Sequence, residues 1–316
     1  MLTQHLAPDS TGVKTAAQIL RAGGLVAFPT ETVYGLGADA RNSTAVAKIF
    51  ATKKRPEFNP LIAHLPDQAT AENCAVFSDA ARALAGAFWP GPLTLVLRLR
   101  GDAAISPLVT AGRETIGLRV PDADLARALL QAFGGPVAAP SANLSGRISP
   151  TRAGHVRDGL DGRIDAVIDG GACGVGIEST IVDLTGAPRL LRPGGIATED
   201  IEDVLGINLK VETIVDETTP TAPGQLASHY APSAKVRMNA EAAEAGEVLL
   251  GFGPVAGATR NLSEAGDLVE AAANLFADLH ALDGTGSSIA VSPIPDTGLG
   301  RAINDRLRRA AAPRDQ

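Results

Sequence analysis

The stretch that most constrains this chain runs from Leu25 to His64, where an apolar run, Leu25 to Phe28, leaves a Gly23-Gly24 turn and meets Pro29-Thr30-Glu31-Thr32. The apolar residues fit a buried strand. Pro29 withholds a backbone donor, and two hydroxyls and a carboxylate follow where burial is costly without partners. Loops at the carboxyl ends of strands in α/β sheets are where ligands bind, which makes this turn a candidate site. A helix from Ser43 to Ala51 then delivers the basic cluster Lys53, Lys54 and Arg55, bracketed by Pro56 and Pro60, before a strand that carries His64. A solvated helix end is the alternative for the cluster, since lysines there complement the helix dipole. Two prolines argue instead for a rigid, built loop.

The remaining chain alternates in the same manner. Val13 to Ala22 has helical spacing with Ser10 or Thr11 as caps; Ser78 to Ala87 is a second such helix, and Trp89-Pro90-Gly91-Pro92 turns into the apolar strand LTLVLRL. Thr115 to Val120 is a strand whose Arg119 demands a carboxylate or phosphate, a structural ion pair being the plainer alternative. Asp122 caps a helix to Phe133, and after Val137 to Ala139 the small donors Ser141, Asn143, Ser145 and Ser149 precede Pro150, expected at the first position of a helix suited to an anion. Ala166 to Asp169 is a strand, Glu178, Ser179 and Thr180 stand before another, and Arg189 to Arg192 enters Pro193-Gly194-Gly195 ahead of a helix from Ile196 to Leu205. Strands outnumber the helices between them, so the expected class is α/β with a mixed sheet.

From Lys210 the pattern lapses into a Thr-, Pro- and acid-rich linker ending in His229-Tyr230-Ala231-Pro232, which is too aromatic for a mere spacer. Strands and helices resume in a small α/β domain. The expected division is a larger domain over 1–209, a linker over 210–234 suited to docking on it, and a small C-terminal domain over 235–316. Arg306, Arg308 and Arg309 are expected at a solvated helix end.

Charge and motifs narrow the chemistry. The net charge of −7 provides no overall basic field for a polyanion backbone, which limits RNA to weak contact. Cys74 and Cys173 alone cannot make a tetrahedral thiolate site, so no structural zinc is expected. No apolar segment is long enough to span a membrane, and the cytoplasm follows as the expected location. No Walker phosphate loop occurs, and Gly35-Leu36-Gly37 is rejected as a dinucleotide fingerprint because the polar turn intrudes between strand and glycines. What remains is dispersed: Thr32, Arg55, Asn59, His64, Thr115, Arg119, Ser141, Ser149, Ser179 and Arg192 all fall near strand ends. If they converge, they form a basic cavity for a triphosphate beside a carboxylate, as a nucleotide-using transferase needs.

The segments PTETVYGLGADA, KKRPEFNPLIAH, WPGPLTLVL, GLRVP, PSANLSG, GIESTIVDL, LRPGG and HYAP, in this order, resemble the threonylcarbamoyl-AMP synthases, nearly end to end. The resemblance implies a YrdC-like twisted open mixed sheet with a central basic cavity and a small Rossmann-like C-terminal domain. It makes the larger domain the catalytic one and the linker a segment able to close over its site. It implies synthesis of threonylcarbamoyl-adenylate from L-threonine, bicarbonate and ATP with Mg²⁺ on the phosphates, and transfer of the product to tRNA by a separate threonylcarbamoyl transferase complex. It assigns Thr32, His64, Arg119, Ala139 and Ser179 to threonine. It assigns Lys53, Arg55, Asn59, Thr115, Ser141, Ser149, Arg192 and Tyr230 to ATP. A hydrogenase-maturation carbamoyl-adenylate enzyme is the competing expectation, and it would bring cysteine-rich zinc segments.

Overall fold

The computed structural model describes residues 2–211, 222–224, 228–285 and 288–313. Short elements follow one another between glycine and proline turns. The chain opens with β1 (Gln4–Leu6), α1 (Ser10–Arg21), β2 (Val26–Pro29), β3 (Tyr34–Asp39), α2 (Ser43–Lys53), β4 (Ile62–His64), α3 (Gln68–Glu72), β5 (Ala75–Val76) and α4 (Asp79–Phe88). It continues through β6 (Leu93–Leu99), α5 (Pro107–Thr110), β7 (Thr115–Arg119), α6 (Asp124–Phe133), β8 (Val137–Ala138), α7 (Ala153–Leu160), β9 (Ala166–Ile168), β10 (Thr180–Asp183), β11 (Arg189–Arg192), α8 (Thr198–Leu205) and β12 (Lys210–Val211). The last part holds β13 (Lys235–Arg237), β14 (Glu247–Gly251), β15 (Arg260–Asn261), α9 (Leu268–Leu282), β16 (Ser288–Val291) and α10 (Leu299–Ala311).

Among the described residues the first twelve strands form one open sheet in the order β1-β9-β2-β3-β8-β4-β7-β6-β10-β11-β12, with β5 against β6. It is mixed: β4 runs parallel to β7, whereas β2 and β3 form an antiparallel pair around the Thr30–Thr32 turn. Side chains alternate across it. Val26 and Phe28 pack with α1 and α6, while Leu25 and Ala27 face the larger core of Ile49, Leu84, Leu95 and Ile201. The second sheet, β13-β16-β14-β15, is parallel throughout. Its α9 buries Ala272, Leu275 and Leu279 as its helical spacing predicts. The two units share an apolar cluster in which Val33, Ile148 and Ile177 meet Phe276 and Leu279. Gly176, at φ +75°, is required there, because a Cβ would stand 2.5 Å from the α9 backbone at Ala272 and Ala273.

Several local expectations are corrected. Asp9, not Ser10 or Thr11, caps α1, since its carboxylate reaches the amides of both Thr11 and Gly12. Ala123 rather than Asp122 precedes α6. Pro150 does not start a helix: its carbonyl is taken by the Tyr34 amide at 2.8 Å, and α7 begins at Ala153. Lys210 and Val211, placed in the linker by composition, pair in parallel with β11. Gly35 and Gly37 lie inside β3, not at a strand-to-helix turn, in accord with rejecting a dinucleotide loop. Much of the linker lies outside the described residues.

Candidate active site

The cavity opens where β2, β4, β7 and β11 end and the PSAN and EST turns approach. Each of its polar groups is set by a local reason. The Thr30 hydroxyl donates to the Val33 carbonyl at 2.7 Å and bonds the Thr32 hydroxyl at 2.8 Å, closing the turn that Pro29 begins. The Arg119 guanidinium, at the end of β7, donates to Thr32 Oγ1 at 2.9 Å, to Glu31 Oε1 at 2.6 Å and to the Gly91 carbonyl at 3.3 Å. The expected ion pair and the expected site thus coincide in one side chain.

His64 is the register partner of Arg119 on the adjacent strand. Burial, with the Arg119 charge second, pushes its pKa down to about 3, so the imidazole is neutral at physiological pH. Its Nδ1 has no hydrogen-bond partner among the described residues. Ser179 joins the two halves of the cavity: its hydroxyl lies 2.7 Å from Thr94 Oγ1, and its carbonyl accepts from Arg192 Nε and Nη2 at 3.1 and 2.9 Å. Arg192 also donates to the Pro223 carbonyl at 3.2 Å, which brings the linker to the wall.

One cavity is lined by Thr32, His64, Arg119, Ala139 and Ser179, and also by Arg55, Ser141, Arg192 and Tyr230. These come from segments far apart in sequence, as the dispersed-donor reading requires. Thr115 lies in an adjoining recess that shares Ile62 and Pro223 with the main cavity. The other three expected residues stand behind the wall. Lys53 donates to the carbonyls of Ser141 and Asn143, and burial, with Arg55 nearby, lowers its pKa well below the usual lysine value. Asn59 Oδ1 accepts from Arg55 Nη2 at 2.6 Å and so aims that guanidinium. Ser149 donates to Glu178 Oε1.

Sequence reasoning missed two partners. Glu178 lines the cavity although only its neighbour was expected there. Arg306, placed at a solvated helix end, is instead fully buried and pairs with Glu178 at 2.7 Å. The signal was present only as an arginine on the apolar face of α10, between Ile303 and Leu307. Among the described residues three guanidiniums and one carboxylate, that of Glu178, line the cavity, so this wall is basic inside an acidic protein. Among the described residues no group of three His, Cys, Asp or Glu side chains could hold a metal ion.

Comparison with known proteins agrees with this geometry. A family model described as "Telomere recombination" matches residues 18–194, and one described as "Threonylcarbamoyl-AMP synthase, C-terminal domain" matches residues 196–312. The threonylcarbamoyl-AMP synthase of Bacillus subtilis is 41% identical over 99% of this chain and 96% of its own length. That of Pyrococcus abyssi is 40% identical over 95% and 94%. The crystal structure of P. abyssi Sua5 complexed with L-threonine superposes with a TM-score of 0.90 at 37% identity, covering 98% of each chain. Two domain models in series, full-length relatives and a full-length structural match leave one assignment: the chain belongs to the threonylcarbamoyl-AMP synthase family.

Proposed function

We propose that this protein makes threonylcarbamoyl-AMP and pyrophosphate from L-threonine, bicarbonate and ATP. The observation that carries this reading is the convergence of Arg55, Arg119 and Arg192 on one cavity. Arg119, braced by Thr32 and Glu31, offers a planar fork for the threonine carboxylate, with His64 and the Ala139 backbone beside it. Arg55 and Arg192, with Ser141, Thr115 and Tyr230, face the nucleotide. Lys53, Asn59 and Ser149 serve this side through the groups that they hold.

The threonine amine adds to carbon dioxide and gives up a proton, or adds to bicarbonate with loss of water; the new carboxylate attacks the α-phosphorus in line, and pyrophosphate leaves. Charge moves onto oxygens throughout, and fixed cations are the main contribution that a protein makes to such a transfer. Glu178 has both oxygens engaged and Glu31 is paired with Arg119, so Mg²⁺ would arrive on the ATP phosphates rather than through a protein cage. The linker, whose Pro223, Gly224, His229 and Tyr230 line the cavity, acts as a lid that shields the labile product from water. The product passes to a tRNA-modifying transferase in the cytoplasm.

Pyrophosphate release should require ATP, threonine and bicarbonate together. Release that persists when threonine or bicarbonate is omitted contradicts the assignment.

A further inference from the structure

Arg306 belongs to no segment that supplies the substrate contacts, yet its side chain is fully buried. It leaves α10 of the second unit and crosses into the first. Its Nε donates to Glu178 Oε2 at 2.7 Å and its Nη1 to the Pro193 carbonyl at 2.9 Å, next to Arg192. Asp305, on the same helix, takes a further bond from Nη1 at 2.7 Å. The guanidinium also stands 5.1 Å from the centroid of the Tyr230 ring, which packs on Phe276 at 5.6 Å. Tyr230 is held at φ +60°, a left-handed conformation that a side-chain-bearing residue keeps only when its surroundings impose it.

The partners have one thing in common. Glu178 lines the cavity and is fixed at its other oxygen by Ser149; Pro193 adjoins Arg192; Tyr230 is one of the linker residues that line the cavity. Arg306 Nη2 is buried without a hydrogen-bond partner among the described residues. A cation placed for stability alone would satisfy its donors, because a buried, unpaired one is costly. Among the described residues, Thr32, His64 and Arg119 make no hydrogen bond to this arginine.

We propose that Arg306 is a positioning residue of the synthase, supplied by the C-terminal domain, which fixes Glu178, Ser149 and the Tyr230 ring for the nucleotide and leaves the threonine side untouched. This rests on the function proposed above. The second domain is thereby a working part of the site as well as an anchor for the linker.

The test uses the full chain with Arg306→Lys, Arg306→Met and Arg306→Met/Glu178→Gln, the last removing the buried carboxylate that the single loss would strand. In the Met variants KM for ATP should rise ten-fold or more while KM for threonine stays within two-fold, and Arg306→Lys should fall between them and the parent. The same split should appear in calorimetric affinities for a non-hydrolysable ATP analogue and for threonine. Unchanged ATP parameters, or equal losses for both substrates in folded variants, overturn the proposal. If the Met variants do not fold, the lysine variant alone decides by the same ratio. Failure of the parent protein to release pyrophosphate would refute the reaction, whereas the analogue affinities would still report on Arg306.

Discussion

Arg119 shows how one residue serves fold and chemistry together. Its guanidinium meets a hydroxyl, a carboxylate and a backbone carbonyl, so the fork is immobilised before any substrate arrives. Lysine would keep the charge and lose the plane. Arg119→Lys should therefore weaken threonine binding by about 1.5–3 kcal/mol, the worth of a charge-assisted hydrogen bond, seen as a rise of roughly ten- to hundred-fold in KM for threonine. An unchanged KM would remove Arg119 from the carboxylate site. The arginine was legible in the sequence because a guanidinium in a short apolar strand must find an anion. Arg306 was not: its partner Glu178 lies 128 residues away, and helical spacing cannot distinguish a buried polar position from a frayed basic end.

At the scale of elements, the connections are more tightly specified than the strands that they join. Gly194 packs so closely on the EST turn that a Cβ would stand 2.4 Å from the Glu178 carbonyl oxygen, the Ser179 carbonyl carbon and the Thr180 nitrogen. All three are backbone atoms and cannot rotate away. Gly194→Ala should cost about 1–3 kcal/mol, as overpacking does, and lower the melting temperature. It should also impair both substrates, because Ser179 stands between their halves. Retention of the parent melting temperature would show that the turn can yield. The longer elements were readable from period and punctuation, as α4 was between Ser78 and the turn at Trp89. Short elements such as α3, α5, β5 and β15 carry too few residues to display a period, and β3 was hidden because Gly35 and Gly37 have no side chains to alternate.

For the whole molecule, buried imidazoles tie stability to pH. Burial lowers the pKa of His64 to about 3, of His155 to about 4, and depresses those of His229 and His280 as well. Folded pKa values below the unfolded value of about 6.5 mean that the unfolded chain binds more protons in the interval, so stability is complete above it and declines as pH falls. Each such imidazole contributes about 1.4 kcal/mol per pH unit within its window. Glu178 acts in the same direction below the usual carboxylate range: burial alone would raise its pKa, but Arg306 and then Arg192 outweigh it and hold it down. The melting temperature should fall steadily from pH 6.5 to 4.5, and a flat profile would contradict the burial of these rings. The α/β class and the two units were visible in the alternation of elements. The contact between them, where His155 stacks on His280 at 3.9 Å, joins helices whose sequences give no sign of each other.

Arg192 has a coordination shell built entirely from its own polypeptide, two of its three nitrogens on Ser179 and the third on the Pro223 carbonyl. A guanidinium carries five N–H groups, so a phosphate that approaches Arg192 can take the second hydrogen of Nη1 without displacing those oxygens. In the proposed complex the Pro223 carbonyl and a phosphate would then share one nitrogen, so that ATP draws on the same group that ties the linker to the wall.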